Sequence, residues 1–114
     1  MKPPAAALLL LFAACGHPCD DKRLSADAQA GCRVYHASCV KCHNLDPRQD
    51  GMLGPPVAGS SLELLEHKIV KKTYPPGYVP KRPGSDQMRI EPLDHVVPQL
   101  PALAAYLQEV TRLQ

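Results

Sequence analysis

Residues 38 to 43 read S-C-V-K-C-H, two cysteines two residues apart with a histidine directly behind the second. Thiols so placed can close a redox disulfide, supply half of a zinc site, or bond covalently to the two vinyl groups of a haem. The three chemistries need different surroundings. A redox pair of the thioredoxin kind follows a strand in a βαβ context. A zinc site needs two further ligands at comparable spacing. A haem held by Cys39 and Cys42 takes His43 as its proximal iron ligand and leaves the opposite face to a second ligand.

The elements that must position this motif are helical. Ser25 offers an oxygen to the free amides of a helix start, and Asp27 suits its positive end. A helix is predicted over Ala26–Val40, with Ala30, Val34 and Ser38 sharing a face. Residues 44–59 hold three prolines and three glycines without a period, which reads as loop. Ser60-Ser61-Leu62-Glu63 fits a capping box, and Leu62, Leu65 and Ile69 follow at helical spacing to about Lys72.

Four prolines interrupt Tyr74–Gly84, and too little chain follows for a second domain, so a rigid covering loop is expected there. The last helix is predicted over Gln99–Arg112, where Leu100, Leu103, Leu107 and Val110 form an apolar stripe and Pro101 falls in the first turn. No alternating strand pattern and no internal repeat occurs. The expected class is all-α, with about three main helices and long loops.

An all-α chain offers no context for a thioredoxin-like pair. Cys19 and Cys32 are spaced too widely for a second zinc knuckle, and C-x-x-C-H is the attachment motif for c-type haem. The apolar content points the same way. Roughly 90 residues, with four tyrosines and no tryptophan, make a thin core that calls for a staple or a cofactor.

The N-terminus sets the compartment. Lys2 precedes an apolar run, Ala5–Ala14, shorter than the roughly 20 residues a membrane span needs. A charged start, a short apolar core and small residues describe a bacterial export signal over residues 1–14. The run stops at Leu11-Phe12-Ala13-Ala14-Cys15-Gly16 and resembles the lipobox of bacterial lipoproteins, in which cleavage precedes an acylated cysteine. Phe12 stands where that family usually has Leu, Val or Ile, and secretion after cleavage near Ala13 or Ala14 is the other reading.

The resemblance implies a lipid anchor at Cys15 and a place in the bacterial periplasm. The polar, short stretch that follows reads as a tether over residues 15–25, ahead of a domain over residues 26–114. Which membrane holds the anchor is left open. Export implies an oxidising setting, in which Cys19 and Cys32 are either a disulfide or two unrelated thiols.

The whole chain carries 13 basic and 11 acidic residues, a balance that excludes little. Its distribution is uneven: Lys68, Lys71, Lys72, Lys81, Arg82 and Arg89 cluster against Asp86 alone. Such a run is either a solvated face or a docking patch for an acidic protein partner. No basic helix with interleaved aromatics appears, so nucleic acid is not an expected partner.

Beyond the motif, the chain resembles the single-haem class I cytochromes c over about residues 26–113. Gly31 and Tyr35 precede Cys39 as that family's helix glycine and aromatic do. Leu103-Ala-Ala-Tyr106-Leu107 is similar to its closing-helix signature, and Gly54-Pro55 to the loop whose proline carbonyl accepts a hydrogen bond from the haem histidine. The resemblance implies one haem c and crossed terminal helices, and places the distal iron ligand at Met88. Arg89 follows where the family usually has proline, and His67 and His95 are the alternative ligands.

The function so implied is single-electron transfer between redox proteins, with no small-molecule substrate and no enzymatic turnover. A gas sensor or small peroxidase with a displaceable sixth ligand, or a cytochrome subunit of a larger oxidoreductase complex, are the other readings.

Overall fold

Ser25 lies in extended backbone, and its Oγ accepts from the Ala28 amide at 3.1 Å, which starts helix α1 (Ala26–Ser38). The computed structural model describes Met1, residues 16–82, Gly84 and residues 90–113. The expected export signal apart from Met1, together with Cys15, Met88 and Arg89, lies outside the described residues. Helix α1 ends two residues earlier than expected, with Cys39 as its cap and the Cys39 amide bonded to the Tyr35 carbonyl.

Helix α2 is short (Leu62–Leu65) and continues as a wider π-helical turn, Glu66–Val70. Ser61, rather than Ser60, caps it by accepting from the Leu64 amide at 3.1 Å. Ser60 is instead buried and donates to the Val57 carbonyl, so the capping box expected from Ser60 and Glu63 does not form. The π turn shows in the Lys71 amide reaching back to the Glu66 carbonyl, five residues earlier. Lys72, at φ 58°, ends the segment.

A 3₁₀ turn over Asp94–Gln99 leads into helix α3 (Leu100–Glu109), and a second turn, Val110–Arg112, closes it. Pro101 sits in the first turn, where its missing N–H costs no bond. No strand occurs among the described residues, so the chain is all-α there. None of their helices is long and apolar enough to cross a membrane.

The core lies where α1 and α3 cross. Tyr35, Leu103, Leu107 and Val96 are sealed from solvent, and the rings of Tyr35 and Tyr106 meet at 5.7 Å. The buried face of α1 carries Ala28, Gly31, Cys32, Val34 and Tyr35. Ala30 is exposed, contrary to the expected Ala30–Val34–Ser38 face. The crossing explains the rotation: only glycine lets the backbone of α3 approach so closely, and Gly31 must therefore face it.

Segment 16–25, expected as a tether, is folded onto α1. Cys19 is fully buried and joined to Cys32 by a disulfide, and Leu24 is buried with them. Arg33 pairs with Asp20, and the Gln29 side chain donates to the carbonyls of Asp21 and Leu24. Buried apolar atoms and a covalent link outweigh the polar composition that suggested a free linker.

Candidate functional site

Below the end of α1 the chain turns tightly through the motif. The amides of Cys42 and His43 both bond to the Cys39 carbonyl, and those of Leu53 and Gly54 return to the Cys42 carbonyl. Cys39, Cys42 and His43 thereby line one wall of a cavity of about 550 Å³. This volume falls within the range of sites for small molecules and cofactors. Leu53, Pro55, Val57, Leu65, Ile69, Leu103 and Leu107 give it a largely apolar lining.

The proline-rich loop also lines this cavity. Pro75-Pro76-Gly77-Tyr78 makes a turn with Gly77 at φ 79° and the Tyr78 amide bonded to the Pro75 carbonyl. That turn stacks the Tyr74 and Tyr78 rings at 5.1 Å, and the Lys68 ammonium lies 3.9 Å from the centre of the Tyr74 ring. Lys68, Tyr74, Tyr78 and Lys81 all line the cavity, as do Ile90, Glu91 and Leu93.

His43 is fixed on one edge. Its Nδ1 lies 2.8 Å from the Pro55 carbonyl oxygen, which can only accept, so Nδ1 carries the proton and Nε2 keeps a lone pair. Gly54 is the second constraint, because a β-carbon there would overlap the imidazole and stand 2.6 Å from Nδ1. Burial lowers the imidazole's proton affinity; the bond to Pro55 acts against this, and the Arg82 charge acts with it. A neutral imidazole with one free lone pair is a metal ligand.

The two motif thiols are free and differ in setting. Cys39 is half-buried, and burial, followed by the neighbouring Cys42, pushes its pKa up to about 11. Cys42 is exposed at the rim. Tyr35 lies behind the motif, donating its hydroxyl to the Asn44 carbonyl, and burial raises its pKa strongly.

The alternative histidine ligands are not brought to this cavity. His95 is exposed, and its Nε2 lies 3.2 Å from the Ser38 hydroxyl. His67 lies on the π turn with Nε2 beside Lys71 and a buried Nδ1 without a partner, and neither ring lines the cavity wall. His36 packs edge-on against His17 and Tyr35. A ring nitrogen of His36 and the sulfurs of Cys19 and Cys32 lie within 4.8 Å of one another, but both sulfurs are held in the disulfide. Met52 is 95% exposed.

The basic residues divide. Lys71 and Lys72 are exposed, whereas Lys68 covers Tyr74. The Lys81 ammonium donates to the Pro56 carbonyl at 2.9 Å. Arg82 donates to the carbonyls of Gly51 and Gly54 and pairs with Asp50 at 3.0 Å. Sequence reading treated these five cations and Arg89 as one run, since charge alone does not distinguish a solvated lysine from one clasping a backbone. The Tyr74–Tyr78 stack was also missed, although P-P-G-Y is the signature of the turn that makes it.

Comparison with family models, curated proteins and solved structures gave no match for this chain.

Proposed function

We propose that this protein is a single-electron carrier of the class I cytochrome c kind, with one haem c attached through Cys39 and Cys42. In this reading His43 is the proximal ligand, Met88 the distal ligand, and acylated Cys15 anchors the domain on the periplasmic side of a bacterial membrane. The observation that carries it is one wall of one apolar cavity: two free thiols in C-x-x-C-H spacing beside a neutral imidazole whose other nitrogen is held by Pro55.

The residues present fit the group. The thiols are unpaired, the lining is apolar, and Gly54 removes the one side-chain atom that would push the imidazole aside. When bound, a haem iron with histidine and methionine ligands supplies a one-electron couple of raised potential. The chain's own atoms do the rest. Pro55 holds the His43 ring in one tautomer and one orientation. Leu65, Ile69, Leu103 and Leu107 exclude water from the interior side. Cys42 stands at the exposed rim, beside the exposed side chains of Leu45, Met52 and Leu53, where a redox partner would make its approach. Lys71, whose ammonium lies 3.5 Å from His67 Nε2, and Lys72 are exposed cations that would attract an acidic partner.

The test is production of the full chain in a bacterium equipped for c-type haem attachment. Haem that stays with the polypeptide on a denaturing gel is expected, and it should be lost in the Cys39→Ser, Cys42→Ser double variant. A wild-type chain that folds and exports without covalent haem would sink the reading.

A further inference from the structure

Three consecutive carbonyls, Gly54, Pro55 and Pro56, accept in turn from Arg82, His43 and Lys81. Two of the three donors, Lys81 and Arg82, come from the proline-rich loop. Arg82 also takes the Gly51 carbonyl and pairs with Asp50, so one guanidinium spans Asp50 to Gly54. Its side chain is 32% exposed, far less than that of its partner Asp50.

From this arrangement we infer that Lys81 and Arg82 are positioning residues for His43, a dibasic clamp that holds the Pro55 carbonyl where the imidazole needs it. The chemistry favours this over a partner-docking role for these two cations. The Pro56 ring fixes φ, so the Pro55 carbonyl cannot flip on its own and moves only with the loop around it, and here both neighbouring carbonyls are tied down by charged donors. Charge-assisted bonds are about twice as strong as neutral ones. The Gly51 amide closes the same loop from within by bonding to the Gly54 carbonyl. Lys81 and Arg82 are adjacent in sequence, so a single loop segment sets both ends of the clamp and ties the proline-rich loop to the segment that holds the His43 ring.

The consequence for the proposed cofactor rests on the electron-carrier reading. A firm acceptor on Nδ1 makes the imidazole a better donor at Nε2, which favours the ferric state. Loosening the clamp without changing its charge should raise the reduction potential.

The experiment compares wild type with Arg82→Gln, Arg82→Lys and Lys81→Gln. Amide hydrogen exchange at Leu53, Gly54 and Val57 reports the loop whether or not haem is attached, and it should quicken about tenfold in Arg82→Gln. The ¹⁵N-histidine spectrum of haem-free protein should show His43 purely as the Nδ1–H tautomer in wild type and as a mixture in that variant. Unchanged exchange with an unchanged tautomer overturns the clamp. In haem-loaded protein, Arg82→Lys keeps the charge on a shorter side chain that stops short of the carbonyls Arg82 Nη2 reaches. Its one-electron equilibrium should move toward the ferrous state by up to tenfold, which corresponds to about 59 mV. A looser loop with an unmoved potential would overturn the positioning role. Absence of covalent haem in wild type would count against the carrier reading alone, and exchange and tautomer would then decide the clamp.

Discussion

The carbonyl oxygen of Ala102 on α3 occupies the place where Gly31 on α1 would carry a β-carbon, and the Leu103 nitrogen would stand 2.9 Å from that carbon. The two backbones meet at this point with no side chain between them. Alanine at position 31 gains about 1 kcal/mol of helix propensity. It also forces the helices apart, and overpacking of this kind costs about 1–3 kcal/mol or more. Because the obstructing atoms are backbone, the upper part of that range applies. Gly31→Ala should lower the melting temperature by roughly 10 °C, measured by circular dichroism.

The Cys19–Cys32 bridge closes a short loop, with 13 residues of sequence separation. In the chain-entropy account a loop near this size stabilises by about 3 kcal/mol. The Cys19→Ala, Cys32→Ala double variant should therefore melt roughly 15 °C lower under non-reducing conditions. Added reductant should lower the wild type and leave the variant where it was. Equal midpoints for both proteins without reductant would contradict the account.

The two motif thiols should react at different rates in the haem-free chain. With its pKa near 11, Cys39 has roughly one thiolate per thousand molecules at pH 8, and it is half-buried. Cys42 is exposed. Iodoacetamide followed by peptide mass mapping should find Cys42 labelled at least tenfold faster. After haem attachment neither thiol should label.

The Glu109 carboxylate joins the end of α3 to the start of α1, accepting from the Ser25 hydroxyl at 2.6 Å and the Ser25 amide at 2.9 Å. These bonds hold its pKa below the ordinary 4.5. The lowered value means the unfolded chain takes up a proton first as pH falls. The contribution is present above pH 4.5 and is lost as pH drops through the lower, folded-state value. The group is partly exposed, so the effect is no more than about 1 kcal/mol. Glu109→Gln should cost stability at neutral pH and converge with wild type in acid, as read by urea midpoints.

If haem is attached as proposed, ligand substitution separates the candidates for the distal iron ligand. His95 is held at Ser38 and His67 lies off the cavity wall, so His95→Ala and His67→Ala should leave the visible spectrum unchanged. Met88→Ala should abolish the methionine-to-ferric-iron band. Slow or absent carbon monoxide binding to the reduced wild type at neutral pH is expected of a stable sixth ligand. Rapid binding would favour the gas-sensing or peroxidase alternative.

The positions of α1 and α3 and the Ser25 cap were legible in the sequence because their signals act over a few residues. Helical period, side-chain capping and proline turns are local physics, and the chain alone determines them. The C-x-x-C-H spacing is local as well. Tertiary structure alone decided which face of α1 is buried, since Gly31 turns inward only because α3 lies against it, and Ala30 is left outside. It also decided that segment 16–25 packs on α1 and that a run of cations splits by role. Lys81 and Arg82 find their carbonyl partners at sequence separations of 25 to 31 residues. In sequence they look the same as Lys71 and Lys72, which remain in solvent. A charge carries no mark of its acceptor until folding brings a carbonyl within reach.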